Sequence, residues 1–126
     1  MLNKYYSYTS HHIQNEILKL VSRDLLRLVL ISVKENNFYG ILADETSDIN
    51  CMEQLSFCLR YVNDEFETFE EFVGLYQLDS CCVETIFNVL KDILLRCDIQ
   101  FNNCRAVSFD GAATMSGIKS GVAARV

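Results

Sequence analysis

Apolar residues recur at helical spacing through the first part of the chain and predict one long helix from Thr9 to Glu35. The stripe consists of Ile13, Ile17, Leu18, Leu20, Val21, Leu25, Leu28 and Val29. Thr9 or Ser10 can cap the helix start, because a hydroxyl accepts from a free backbone N–H of the first turn, and Asn36-Asn37 is a stop signal. We expect the stripe to pack against the core or a neighbouring domain; a partner-binding helix is the alternative.

Three segments of apolar or alternating residues follow and predict strands. The first covers residues 38–43, and the polar residues 44–48 are expected to leave it as a loop. Alternation over residues 55–62 predicts the second strand, and residues 69–78 predict the third. The connections are too short for crossovers, so we expect an antiparallel meander with a turn at Asn63-Asp64, between the second and third strands.

A second helix is predicted over residues 82–96, with Asp79 or Ser80 as its cap. A fourth strand at residues 105–109 follows after a connection long enough for a right-handed crossover, which would lay it parallel to an earlier strand. A third helix is expected to begin at residue 111 and to continue to residue 126.

This order predicts an α/β protein with a partial RNase H-like fold. It comprises an N-terminal helix, a three-strand antiparallel meander, a crossover helix, a fourth, parallel strand and the start of a further helix. We divide it into an N-terminal helical segment, 1–37, and the truncated N-terminal half of an RNase H-like core, 38–126. In this topology the first and fourth strands are neighbours. Half of such a sheet leaves one face and one edge partly uncovered, so we expect the chain to be poorly soluble or oligomeric.

Asp44 and Asp110 follow the first and fourth predicted strands. If these strands lie side by side and parallel, the two carboxylates converge, and converging acids repel unless a proton or a divalent cation lies between them. That is the arrangement of a magnesium-dependent phosphoryl-transfer site. The alternatives are that Asp44 caps a turn and that Asp110 caps the helix after it. Glu45 and Asp48 are expected on a solvated loop.

Composition and charge narrow the function classes. The net charge of −6 argues against a grip on DNA or a membrane surface through bulk charge. The six cysteines form no C-x-x-C pair and the two histidines are adjacent, so we do not expect a zinc site. Reduced, mostly buried thiols in an intracellular protein are the simplest interpretation. The longest apolar stretch, residues 25–33, is too short to span a bilayer.

Several motifs resemble the hAT-type transposase-derived domain found in zinc-finger MYM-type-like proteins and in relatives of the repressor of the inhibitor of the protein kinase. They are Tyr8-Thr9-Ser10, Ile13-Gln14-Asn15-Glu16-Ile17, Ile41-Leu42-Ala43-Asp44-Glu45-Thr46-Ser47-Asp48, Glu53-Gln54-Leu55-Ser56, Arg60-Tyr61-Val62 and Phe109-Asp110-Gly111-Ala112-Ala113-Thr114-Met115-Ser116-Gly117. The likeness covers nearly the whole chain, and the two Asp-containing motifs in this order are specific together.

The resemblance implies an RNase H-like core whose D, D, E triad binds Mg²⁺ or Mn²⁺ and cuts DNA. Asp44 matches the first acid and Asp110 the second, so both are candidate catalytic and metal-binding residues; one would bridge two ions and the other would hold one. The third acid lies far downstream in the family. With two acids we expect weak metal binding and negligible catalysis from this chain.

The resemblance also implies a nuclear protein that contacts DNA through regions outside this chain. Protein partners or a dimer are expected, whereas a membrane or a small-molecule substrate is not. The alternative function is a domesticated, non-catalytic module for protein interaction or transcriptional regulation.

Overall fold

The computed structural model describes residues 8–47 and 52–109, which form one helix-backed sheet. The elements in chain order are α1 (His11–Glu35), β1 (Tyr39–Ser47), β2 (Glu53–Val62), β3 (Thr68–Gln77), α2 (Val83–Arg96), a short 3₁₀ turn (Phe101–Asn103) and β4 (Cys104–Phe109). This is the predicted α/β order of a partial RNase H-like fold. The helix predicted over residues 111–126 lies outside the described residues.

The four strands form a single mixed sheet in the order β3-β2-β1-β4. β2 pairs antiparallel with β1 and with β3, as short connections require. β4 pairs parallel with β1, and Ala43 lies opposite Phe109 in this register. The predicted meander and the predicted neighbouring, parallel arrangement of the first and fourth strands are both confirmed.

The core lies on one face of the sheet, under α2 and the end of α1. Alternate residues of β1 and β2 point into it, while the residues between them face the other side, as the two-residue period of a strand dictates. The buried apolar residues are Val33, Tyr39, Ile41, Ala43, Leu55, Phe57, Leu59, Tyr61, Leu78, Ile86, Leu90, Ile93, Leu94, Cys97 and Ile99. We call this side the core face of the sheet and the opposite side the outer face.

Most of the apolar stripe of α1 is exposed, which differs from the expected packing. Ser10 caps the helix by accepting from the backbone N–H of Ile13. Val33 is buried, and Val29 and Leu30 are packed partly against the core. The outward apolar residues are Ile17, Leu18, Leu20, Val21, Leu25, Leu28 and Ile31.

The reason is that α1 has apolar residues on more than one side, and the core covers the side that carries Val29, Leu30 and Val33. Periodicity shows that such residues share a helix face, but it does not show which face the core covers. Within the described part of the chain, no helix combines the length and the apolar character needed to cross a membrane.

The start of α2 differs from the prediction that Asp79 or Ser80 caps it. The N-cap is Cys82, and its side chain makes no capping hydrogen bond. The hydroxyl of Ser80 instead lies 3.2 Å from the Cys82 sulfur and 3.0 Å from the Thr85 hydroxyl. Two residues, Cys81 and the extended Cys82, therefore separate Ser80 from the helix, which is why its oxygen does not cap the free N–H groups of the first turn.

Candidate functional site

β1 continues beyond Ala43, so the prediction that residues 44–48 leave the strand is wrong for residues 44–47. These residues pair with residues 53–56 of β2. The ladder satisfies their backbone groups, and the strand therefore persists although the side chains are polar. Asp48 lies outside the described residues.

The side chain of Asp44 is exposed on the outer face of the sheet, near the carboxyl end of β1. Ser56 is its partner across the ladder on β2. A shallow depression of about 240 Å³ surrounds Asp44 and is lined by Leu42, Ala43, Ser56, Cys58, Ser108 and Phe109. Asp44 thus opens onto a concave surface shared by β1, β2 and β4.

β4 brings the chain to the same end of the sheet as Asp44. Phe109 is aligned with Ala43, the residue immediately before Asp44, and both strands run in the same direction. Asp110 follows Phe109 in the sequence but lies outside the described residues. The structure thus fixes the two strands that lead to the candidate acids and the position of the first acid.

The side chains around the depression carry oxygen donors suited to a hard divalent cation. The Asp44 carboxylate lies with the hydroxyl-bearing Ser56 and Ser108 among the lining residues, and carboxylate and other oxygen ligands are those that Mg²⁺ and Mn²⁺ prefer. Among residues 8–47 and 52–109, no group of three His, Cys, Asp or Glu side chains is arranged to hold a metal. These oxygen atoms are of the type that such an ion binds. Any further carboxylate ligands would have to come from residues other than 8–47 and 52–109.

Glu45 does not share the face of Asp44, in contrast to the solvated loop expected for it. It is half-buried, and its carboxylate and that of Glu53 lie close enough to the Cys81 thiol to compete for its single proton. Burial, followed by these two negative charges, raises the pKa of Cys81 to about 11. Successive side chains of a strand point to opposite faces, so residues 44 and 45 must face opposite sides of the sheet. The sequence would have predicted this difference if the strand had been extended to include both residues.

Comparison with protein families agrees with this geometry. The model of a family described as ZMYM1/FAM200, RNase-like domain (DUF4371) matches residues 2–121. The match includes α1, the whole described sheet and α2, together with both candidate acids.

Proposed function

The chain belongs to the ZMYM1/FAM200 RNase-like domain family, a transposase-derived RNase H-like domain, and we infer that it carries the first half of a hAT-type transposase core. The ancestral reaction of that core is metal-dependent DNA strand cleavage and transfer. We propose that the chain by itself does not catalyse this reaction. DNA would be contacted through regions outside the chain, in the nucleus.

The observation that carries the proposal is the parallel pairing of β1 with β4, with Ala43 opposite Phe109. The residue after each of these two positions is an aspartate. Adjacent parallel strands direct their carboxyl ends to the same edge of a sheet, where α/β proteins bind ligands. The pairing therefore favours Asp44 and Asp110 as a pair over two unrelated capping residues.

Asp44 and Asp110 are the residues that would hold Mg²⁺ or Mn²⁺, with Ser56 and Ser108 beside Asp44. Such an ion, when bound, lowers the pKa of a coordinated water and stabilises a leaving oxygen. Asp44 would contribute a carboxylate that is held in a fixed position. Its backbone is paired with β2, and the residue before it, Ala43, is paired with both β2 and β4. Two carboxylates leave most of an octahedral shell to water, so affinity is weak and no measurable strand cleavage is expected.

The test is thermal unfolding of the whole chain with increasing Mn²⁺. Binding to the folded state raises the midpoint by mass action, so the wild type responds and Asp44→Asn and Asp110→Asn do not. Asp64→Asn, an exposed acid at the far end of the β2–β3 hairpin, is the matched control and keeps the response. An unchanged response in Asp44→Asn would refute the metal site. Cleavage of DNA by the wild type, lost in Asp110→Ala, would refute the absence of catalysis.

A second candidate is a domesticated, non-catalytic module for protein interaction or transcriptional regulation. The outward apolar stripe of α1 favours it, because seven large apolar side chains on one helix are left in solvent. Under this alternative, Asp44→Asn leaves both the cation response and partner binding unchanged, whereas polar substitutions in the stripe abolish partner binding.

A further inference from the structure

A second concave surface lies on the outer face, at the opposite end of β1 from Asp44. This outer groove has a volume of about 420 Å³ and is lined by Phe38, Gly40, Arg60, Val62, Arg105 and Ala106, among others. Gly40 and Ala106 are aligned on β1 and β4, and because their side chains are small, they leave space above this part of the sheet. A methyl group added at Gly40 would lie 3.4 Å from the Ala106 carbonyl oxygen, so a larger side chain there would reduce the space.

Two arginines give the outer groove a positive character within an acidic protein. The Arg105 guanidinium stacks on the exposed Phe38 ring, 4.1 Å from its centroid, and donates to the Asn102 carbonyl oxygen at 2.9 Å. Neither Arg60 nor Arg105 forms an ion pair with a carboxylate of the described residues. Arg60 lies opposite Glu70 across the β2–β3 ladder without forming an ion pair. An apolar floor between two cations fits an apolar side chain flanked by acids.

The tip of the β2–β3 hairpin presents that combination. Phe66 is 89 % exposed and is flanked by Glu65 and Glu67. Its φ of 63° lies in the left-handed region, which disfavours a bulky side chain and suits glycine or asparagine. Asn63 fixes the turn, because its side-chain oxygen accepts from the backbone N–H groups of Glu65 and Glu67, at 3.0 and 2.8 Å. The chain therefore holds a large aromatic side chain in solvent at a conformational cost.

We propose that the hairpin tip of one copy of this chain docks into the outer groove of a second copy. Phe66 lies on the apolar floor, and Asp64 and Glu65 face Arg60 and Arg105. Tip and groove are adjacent on one molecule, since Val62 and Thr68, which flank the tip, also line the groove. A two-fold axis beside them makes both contacts at once, the self-complementary arrangement that closes as a dimer.

The net charge of −6 on each copy opposes association in general. The proposed contact is the place where opposite charges meet, so its strength depends on these few side chains. The contact can therefore be tested by reversing the charges of the groove in one variant and those of the hairpin tip in another. Glu67 is left unchanged in both, because its carboxylate accepts from the Asn63 side-chain amide and holds the turn.

The experiment measures the mass of the whole chain by sedimentation equilibrium. The wild type forms dimers, and Phe66→Asn weakens them at least tenfold. At concentrations at which both proteins are monomeric, the thermal midpoint of Phe66→Asn equals or exceeds that of the wild type, since asparagine tolerates the left-handed region. The double variants Arg60→Glu/Arg105→Glu and Asp64→Lys/Glu65→Lys are each monomeric. A mixture of the two restores dimers, because each then offers the other an opposite charge at both contacts.

The control is Leu18→Gln/Leu25→Gln on α1, which leaves the dimer mass unchanged. A wild type that stays monomeric overturns the proposal, as does a dimer that survives Phe66→Asn and is lost in the α1 control. If Arg60→Glu/Arg105→Glu lowers the thermal midpoint of a monomer without changing its mass, the groove is filled by the chain's own residues, and the proposal fails as well.

Discussion

Lys34 at the end of α1 donates a hydrogen bond from Nζ to Oδ2 of Asp98, 2.8 Å away. Asp98 follows α2 and has a φ of 52°, a left-handed conformation that aspartate tolerates better than most residues. The pair joins the C-terminal end of α1 to the connection between α2 and β4. It is the charged complement to the apolar contact that Val33 makes with the core.

This ion pair makes stability depend on pH at the acidic end. The hydrogen bond and the positive charge of Lys34 lower the pKa of Asp98 in the folded protein. A lowered folded value stabilises the protein above the unfolded pKa, about 4, and this contribution is lost as the pH falls through the folded value. Because Asp98 is 93 % exposed, the effect is small and weakens with salt.

We therefore expect Asp98→Asn to unfold at a slightly lower temperature than the wild type at neutral pH and at the same temperature well below pH 4. Asparagine keeps the backbone conformation, so the charge is the variable that changes. Thermal unfolding by circular dichroism over this pH range is the measurement, and Lys34→Met should reduce the acid dependence in the same way. Parallel curves for wild type and Asp98→Asn would contradict the assignment.

Leu90 and Leu95 of α2 form a matched pair for the core. Leu90 is 0 % exposed and Leu95 is 78 % exposed on the same helix. Leu90→Ala removes buried methyl groups and leaves a cavity, so we expect the free energy of unfolding to fall by about 3 kcal/mol. Leu95→Ala should change it by less than about 0.5 kcal/mol. Urea unfolding measures both, and similar losses in the two variants would show that α2 does not pack as described.

Cys82 is expected to react with iodoacetamide at neutral pH. Hydrogen bonds from the side chains of Ser80 and Thr85 lower the pKa of this exposed thiol to about 7, and the thiolate is the nucleophile. The alkylation rate should reach half its maximum at about pH 7, and Ser80→Ala should move that midpoint upwards. The adjacent Cys81, whose pKa is raised to about 11, is the internal control and should stay unmodified. Equal rates at the two positions, located by tandem mass spectrometry, would exclude this difference.

The outward stripe of α1 is expected to limit solubility. Leu18 and Leu25 are 64 % and 58 % exposed, so Leu18→Gln/Leu25→Gln removes apolar surface without emptying the core. The concentration at which the chain precipitates should rise several-fold, with little change in the free energy of unfolding. Val33→Ala, at a residue 1 % exposed, should do the reverse and lower stability without improving solubility. Light scattering against concentration, together with urea unfolding, checks both.

The sequence predicted the topology because connection lengths and strand handedness leave few arrangements of these elements. It predicted the end of β1 incorrectly, because Asp44 and Glu45 are unfavourable in strands on average, whereas the ladder with residues 53–56 overrides that preference. Because β1 includes both residues, their side chains alternate between the two faces, which leaves Asp44 exposed and Glu45 half-buried. The prediction of Ser80 as the cap was wrong for a geometric reason, because two residues, Cys81 and the extended Cys82, lie between Ser80 and α2.

The candidate site was predicted as far as the two strands that lead to it. Asp44 lies within β1 on the outer face, whereas the sequence placed it just past the end of the strand and did not predict its face. The proximity of Asp110 stays a prediction. The outer groove and the strained Phe66 gave no periodic signal, because they depend on how distant residues such as Arg60 and Arg105 come together.

The place of β1 between β2 and β4 has a consequence for the order in which the molecule opens. Residues 39–43 of β1 are paired with both neighbours, as β2 is with β1 and β3, whereas β3 and β4 are each paired on one side within the described sheet. Deuterium should therefore enter β1 and β2 last, after the outer strands β3 and β4 have separated from them. The carboxylate at position 44 thus directly follows the doubly paired, slowly exchanging part of β1, and its own residue stays paired to β2.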